Sequence, residues 1–310
     1  MKLSFKKSWT VILTLLALTF SAVGVTPAHA ATITVTAGAT DLIANNSSCS
    51  LREAIINANN DNQSGSTDCL AGSGDDTITV PPGTYTLTIP GINEEAAATG
   101  DLDITSNITI NGAGAGSTII QAGTLGVGGP PNGIDRVFRV DGSLTTVSVN
   151  ISGVTVRNGK TSSGNHGGGV ANYLGTLTIS KSTFSGNSAG GYGGGISNNG
   201  TLIVTSSTFA GNSSMDGGGG ILNMGTLTVT SSTFAGNTAT RIGVGYGGGM
   251  YNNSGTATMT NSLFTGNSAT SGGGGIFVGA GTVAIANSTL SVNSAYFFGG
   301  GIYDVGTLIM

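Results

Sequence analysis

The chain has 310 residues, of which 55 are Gly and only 8% are charged, against roughly 7% Gly and 25% charged in an average soluble domain. This excludes a helical bundle or coiled coil, which needs Ala, Glu, Lys and Leu in quantity. Six Pro residues and no three-residue Gly period exclude collagen, and a mean hydropathy of +0.22 argues against charge-driven disorder.

Residues 1–30 have the three parts of a secretory signal. Lys2, Lys6 and Lys7 form a basic start, Val11 to Phe20 is apolar, and Ala28-His29-Ala30 is a small-x-small cleavage site. The apolar run is short for a membrane span of about 20 residues. The reading is therefore export, with a mature chain from Ala31 that carries no membrane span and is secreted or held at the cell surface. Without this segment seven basic residues stand against fourteen acidic ones. Nucleic acid is a poor partner for such a surface. A His-based zinc site is also excluded, because His166 then stands alone. Its glycine surroundings mark it as an exposed turn residue.

Residues 31–150 hold twelve of the fourteen acidic residues. Cys49 and Cys69 are the only cysteines. In an exported chain they predict one disulfide, closing a loop of about 20 residues and contributing about 3 kcal/mol. Ser50 and Glu53 have the spacing of a capping box, which starts a helix by satisfying its free N–H groups. Leu51, Ile55 and Ala58 then fall on one helical face. A short amphipathic helix here would cover the open end of a solenoid on its C-terminal side, shielding unpaired strand edges.

Residues 151–310 form a repeat array. Phe-x-x-Asn recurs at Phe184/Asn187, Phe209/Asn212, Phe234/Asn237 and Phe264/Asn267, and Leu290/Asn293 is a variant. A Gly triplet precedes an apolar residue at Val170, Ile196, Ile221, Met250, Ile276 and Ile302, at intervals of 26, 25, 29, 26 and 26. Each repeat carries three short strand-like runs and no helix-length segment. About 25 residues and three strands fit one coil of a right-handed, single-stranded parallel β-helix, coils lying about 4.8 Å apart. Equivalent residues then stack. Leu177, Leu202 and Leu227 predict one inward ladder, the four Phe a second, and the four Asn a hydrogen-bonded ladder at a corner. Gly triplets suit corners needing positive φ and close backbone approach. From Ile151 onward the only acidic residues are Asp216 and Asp304, as expected where like charges would recur every coil. The chain stops at Met310 within a strand phrase, which predicts further coils downstream.

The stretch from Cys49 to Ile55, with Asp68-Cys69 and Gly74-Asp75-Asp76-Thr77-Ile78, resembles the CSLREA domain of bacterial extracellular β-helix proteins. The repeats resemble those of chlamydial polymorphic outer-membrane proteins and autotransporter adhesins. The resemblance implies a right-handed parallel β-helix, secreted or displayed at a cell surface, in the cell envelope or outer membrane of a Gram-negative cell. It supplies no catalytic residues.

Three functional classes remain. Glycoside hydrolysis needs two carboxylates about 5 to 10 Å apart, and lyase chemistry needs a base. A polysaccharide-degrading site would have to draw on Asp75, Asp76, Glu94, Glu95, Asp101, Asp103, Asp135, Arg136 and Arg139. Calcium would have Asp101, Asp103, Glu94 and Glu95 as oxygen donors, but the Gly-Gly-x-Gly-x-Asp calcium repeat is missing. The expectation is a non-catalytic, cofactor-free adhesion scaffold. Its partner would be a host, matrix or cell-surface protein or glycan. Tyr192, Tyr246, Tyr251, Tyr296 and Tyr303, near the Gly-rich corners, are candidates for an aromatic contact strip.

Overall fold

A computed structural model describes residues 29–91, 94–123 and 136–310; the expected signal segment, save its last two residues, and Asp135 lie outside the described residues. The described chain is a parallel β-solenoid with one short helix. Its strands form four parallel sheets of ten, eight, six and eight strands. The sequence predicts three strands per coil, and the repeats have four. The run that begins with Thr-Phe-Ala bends at its Gly-Asn, so the short strand beyond it, Ser213–Ser214 in one coil and Thr238–Ala239 in the next, joins a sheet of its own.

One coil shows why. Thr176–Ser180 contributes to the first sheet, with Leu177 and Ile179 inward and fully buried and the hydroxyl residues outward. Lys181 then takes a left-handed conformation, φ 49°, and turns the chain into Thr183–Ser185 of the second sheet, where Phe184 points inward. Gly186, at φ 62°, and buried Asn187 make the next corner. Ser188–Gly190 comes next in the third sheet, and Ile196–Asn198 in the fourth.

Period becomes register directly. Thr176, Thr201, Thr226, Thr256, Thr282 and Thr307 are successive partners in the first sheet, without a shift. The longer 29-residue interval is absorbed outside the sheets, in a turn at Arg241–Gly245 closed by the Val244 and Gly245 amides on the Arg241 carbonyl. Asp76–Val80, Ile108–Gly112 and Ser148–Ser152 precede the repeats in the same first sheet. The acidic N-terminal segment and the quiet repeats thus share one continuous core.

Helix α1, Leu51–Asn60, packs against strands Asp76–Val80 and Leu102–Ile104 of the first coil. Its capping box is formed: the Glu53 amide donates to Ser50 Oγ at 3.2 Å, and the Ser50 amide to Glu53 Oε2 at 2.8 Å. Cys49 and Cys69 form a disulfide with Cα atoms 4.8 Å apart. The expectation of a single apolar face is too narrow, because every residue from Leu51 to Ala58 is buried. Arg52 is the reason that this is possible. Its Nε and Nη2 reach the two Asp41 oxygens at 2.6 and 3.2 Å, and its remaining N–H groups donate to the carbonyls of Ala97, Gly100 and Asp101. All five guanidinium donors are used, the condition under which a buried charge is tolerated.

Candidate functional site

The inward ladders are structural. Phe184, Phe209, Phe234 and Phe264 stack with centroids 5.0, 4.8 and 4.4 Å apart and planes within 9°. Asn187, Asn212, Asn237 and Asn267 are fully buried and joined amide to amide at 2.9–3.0 Å. In Asn237 every bond is accounted for. Nδ2 donates to Asn267 Oδ1 and to the Phe209 carbonyl, while Oδ1 accepts from both the backbone and side-chain amides of Asn212. Such a network has no capacity left for a ligand.

Sequence reasoning missed two further ladders. Asn172, Asn198, Asn223 and Asn252 hydrogen-bond side chain to side chain at 2.7–2.8 Å inside the fourth sheet. Ser207, Ser232, Ser262 and Ser288 each accept, through Oγ, the amide of the equivalent Ser one coil earlier. The same period of 25 to 30 residues was the signal that could have found them.

In the Gly triplets only the first Gly needs its left-handed φ, as at Gly193 (69°) and Gly218 (63°). The second is required by crowding. A Cβ on Gly194 would lie 2.2 Å from the Ser213 carbonyl oxygen.

The outer surface of the fourth sheet is different. Its outward column runs Asp103, Arg139, Ala171, Ser197, Leu222, Tyr251, Phe277, Tyr303 in strict register. Beside it, at the preceding corner, Tyr192, Gly217, Tyr246, Gly272 and Phe298 are bridged coil to coil. Rings from the two columns interlock. Tyr246 stacks on Phe277 at 4.4 Å, Phe277 on Tyr303 at 5.3 Å, and Tyr303 on Phe298 at 5.0 Å. Tyr192 meets Tyr251 at 5.9 Å and His166 at 5.3 Å. The corner glycines are the sockets for the Tyr251 and Tyr303 rings.

Four of the five candidate tyrosines therefore belong to one interlocked aromatic face. Tyr296 lies at its edge, 81% exposed, and touches it through Phe297. Phe298 is 52% exposed, while Phe277 is buried beneath its neighbours. Burial, with neighbouring tyrosines second, pushes the Tyr251 hydroxyl up to about 12, so it stays a neutral donor, here to Asn253 Oδ1 at 2.8 Å. His166 is half-buried rather than an exposed turn residue. Its Nδ1 accepts the Tyr192 amide at 3.0 Å, and burial lowers its pKa.

The charged candidates divide. Asp76 accepts the Ala31 and Ser73 amides, and Asp75 accepts from Asn107, so both hold strand ends. Asp101, Asp103, Glu95, Arg136 and Arg139 gather at the N-terminal end of the fourth sheet. Arg136 pairs with Asp101 at 3.2 Å. Arg139 pairs with Glu95 and with Asp141 (3.0 Å), and lies over the Tyr173 ring. Glu94 instead accepts amides of its own loop. Burial, reinforced by the Asp101 charge, pushes Asp103 up to about 8, so it holds its proton near neutrality. Asp103 is itself fully buried, which keeps this acid from a polymeric substrate. Arg136 and Arg139 engage Asp101 and Glu95, two of the four carboxylates that calcium would have as donors. Among the described residues no group of three or more His, Cys, Asp and Glu side chains is arranged to hold a metal.

Comparison with family models, curated proteins and solved structures returned no match.

Proposed function

We propose that the chain is an exported, non-catalytic interaction scaffold, secreted or displayed at a cell surface, whose aromatic face docks a cell-surface or matrix protein or glycan. The observation that carries this reading is the interlocked run of Tyr192, Tyr246, Tyr251, Phe277, Phe298 and Tyr303 on the outside of the fourth sheet. Contiguous apolar surface of this kind marks interaction sites, and aromatic residues are enriched in the centres of interfaces. Exposed Ile242 and Val244, in the turn just before Tyr246, extend the same corner.

The chemistry elsewhere supports the scaffold over a polysaccharide-degrading enzyme. The repeat ladders are closed networks, and the raised Asp103 carboxyl lies beneath the surface. Saturable binding of the labelled protein to cells and extracellular matrix, lost in Tyr246→Ala with Phe298→Ala, is the expected result. New reducing ends or unsaturated products from a panel of polysaccharides, abolished by Asp101→Asn or Asp103→Asn, would replace the scaffold reading with the enzyme.

A further inference from the structure

A second exposed surface, on the first sheet, has a different character and does not rest on the aromatic face. Its outward positions carry Thr176, Thr201, Thr226, Thr256, Thr282 and Thr307 in one unbroken column. Two residues along each strand a second column contains Thr178, Thr228 and Thr258, interrupted by Ile203. A third contains Ser180, Thr205, Thr230 and Thr260. No charged residue stands among the outward positions from Thr176 to Ala286, and the nearest charge in sequence, Lys181, sits at the corner.

β-Propensity accounts for Thr in exposed strands, but these hydroxyls also share a state. Among the described residues those of Thr176, Thr226, Thr228, Thr256 and Thr258 make no hydrogen bond within the protein, and between the outward hydroxyls of these three columns the one contact from coil to coil is Thr260 to Thr230 at 3.4 Å. The hydroxyls of the Ser ladder behave differently, each spent on a carbonyl two residues back, as Ser207 Oγ is on Thr205. The face thus presents free hydroxyls and methyls on a grid of about 4.8 Å along the solenoid and about 6.7 Å along the strands. Buried Leu177, Leu202 and Leu227 stack beneath this sheet, and the Asn, Ser and Phe ladders of the adjoining corners and sheets hold successive coils in register, so the grid is preorganised.

We propose that this face binds an ordered water lattice, the surface of ice. The axial spacing is close to the oxygen repeat along the a axis of hexagonal ice. The spacing along the strands is a little shorter than the c-axis repeat, so the match is carried along the solenoid axis. Each hydroxyl can donate to and accept from a lattice water, while the methyls order the waters between them. A soluble ligand finds no charge or ring on this face to orient it. The occupant that suits it is itself periodic and uncharged.

The test is thermal hysteresis and ice-recrystallisation inhibition with the purified chain. The expected result is a gap between melting and freezing temperatures and retarded crystal growth. Both should be lost in Thr228→Lys with Thr258→Lys and kept in Thr233→Lys, on the second sheet. Thermal melts establish that each variant is folded. If the lysine pair does not fold, Thr228→Leu with Thr258→Leu disturbs the same grid without charge. A folded parent lacking both effects overturns the proposal. So do effects that survive the face variants or vanish equally in Thr233→Lys. Loss of cell binding in the aromatic variants leaves these readouts unchanged, which keeps the two surfaces distinguishable.

Discussion

The ring of Tyr303 rests on Gly272, and a Cβ placed on that glycine would lie 2.5 Å from the ring's Cδ1. One coil pair earlier Tyr251 rests on Gly217 in the same way, at 2.8 Å. The glycine leaves a socket in one column that the tyrosine of the neighbouring column fills, so the aromatic face is packed into the corner rather than laid upon it.

Gly272→Ala therefore overpacks the socket and is expected to destabilise the protein by about 1–3 kcal/mol. Gly272 does not have a left-handed φ, so the cost is steric. The double variant with Tyr303→Ala should be less destabilised than the sum of the singles. Urea unfolding of the three variants measures the coupling, and strict additivity would sink the socket interpretation.

Asn237→Ala removes partners from the Asn212 backbone and side-chain amides and from the Phe209 carbonyl at once. With roughly 1–3 kcal/mol for each buried group left unsatisfied, the loss should be about 3 kcal/mol or more. Thr228→Ala, whose side chain is exposed and unbonded, should stay within about 0.5 kcal/mol of the parent. Chemical denaturation of both compares a ladder residue with a surface one on the same coil stack.

Arg52→Leu leaves Asp41 buried without its cation and uncaps the carbonyls of Ala97, Gly100 and Asp101. Breaking a buried pair by removing one partner costs about 3–5 kcal/mol. Hydrogen exchange should show the loss concentrated in α1 and the first coil, with the distant repeats still protected.

Asp103 binds its proton more tightly in the folded chain than in the unfolded one, because burial and the Asp101 charge raise its pKa from 3.8 to about 8. Its contribution to stability is complete below pH 3.8 and declines as pH rises towards 8. Melting temperature attributable to this group should fall across that window. Asp103→Asn should flatten the fall, and an unchanged pH profile in that variant would contradict the assignment.

The repeats were legible because in a solenoid the spacing in sequence is the spacing in space. Phe209 and Phe234 are 25 residues apart, one coil, and they stack. The same period links Asn187 to Asn267, which the Phe-x-x-Asn phrase marks, and Asn172 to Asn252, which no such phrase marks. The split of the Thr-Phe-Ala run into two sheets was not legible, because a two-residue strand such as Ser213–Ser214 carries no alternation to read.

The sequence by itself determined the parallel solenoid, its period, its inward ladders and the helix start at Ser50, since each comes from local patterning or from a repeat interval. Only the tertiary structure decided that Arg52 joins Asp41 to three carbonyls near residue 100, because the segment before the repeats has no period linking distant residues. It also decided that Tyr192, Tyr246, Tyr251 and Tyr303 form one surface. The socketing of Tyr251 on Gly217 depends on side chains leaning across a coil boundary, a direction that spacing along the chain does not encode.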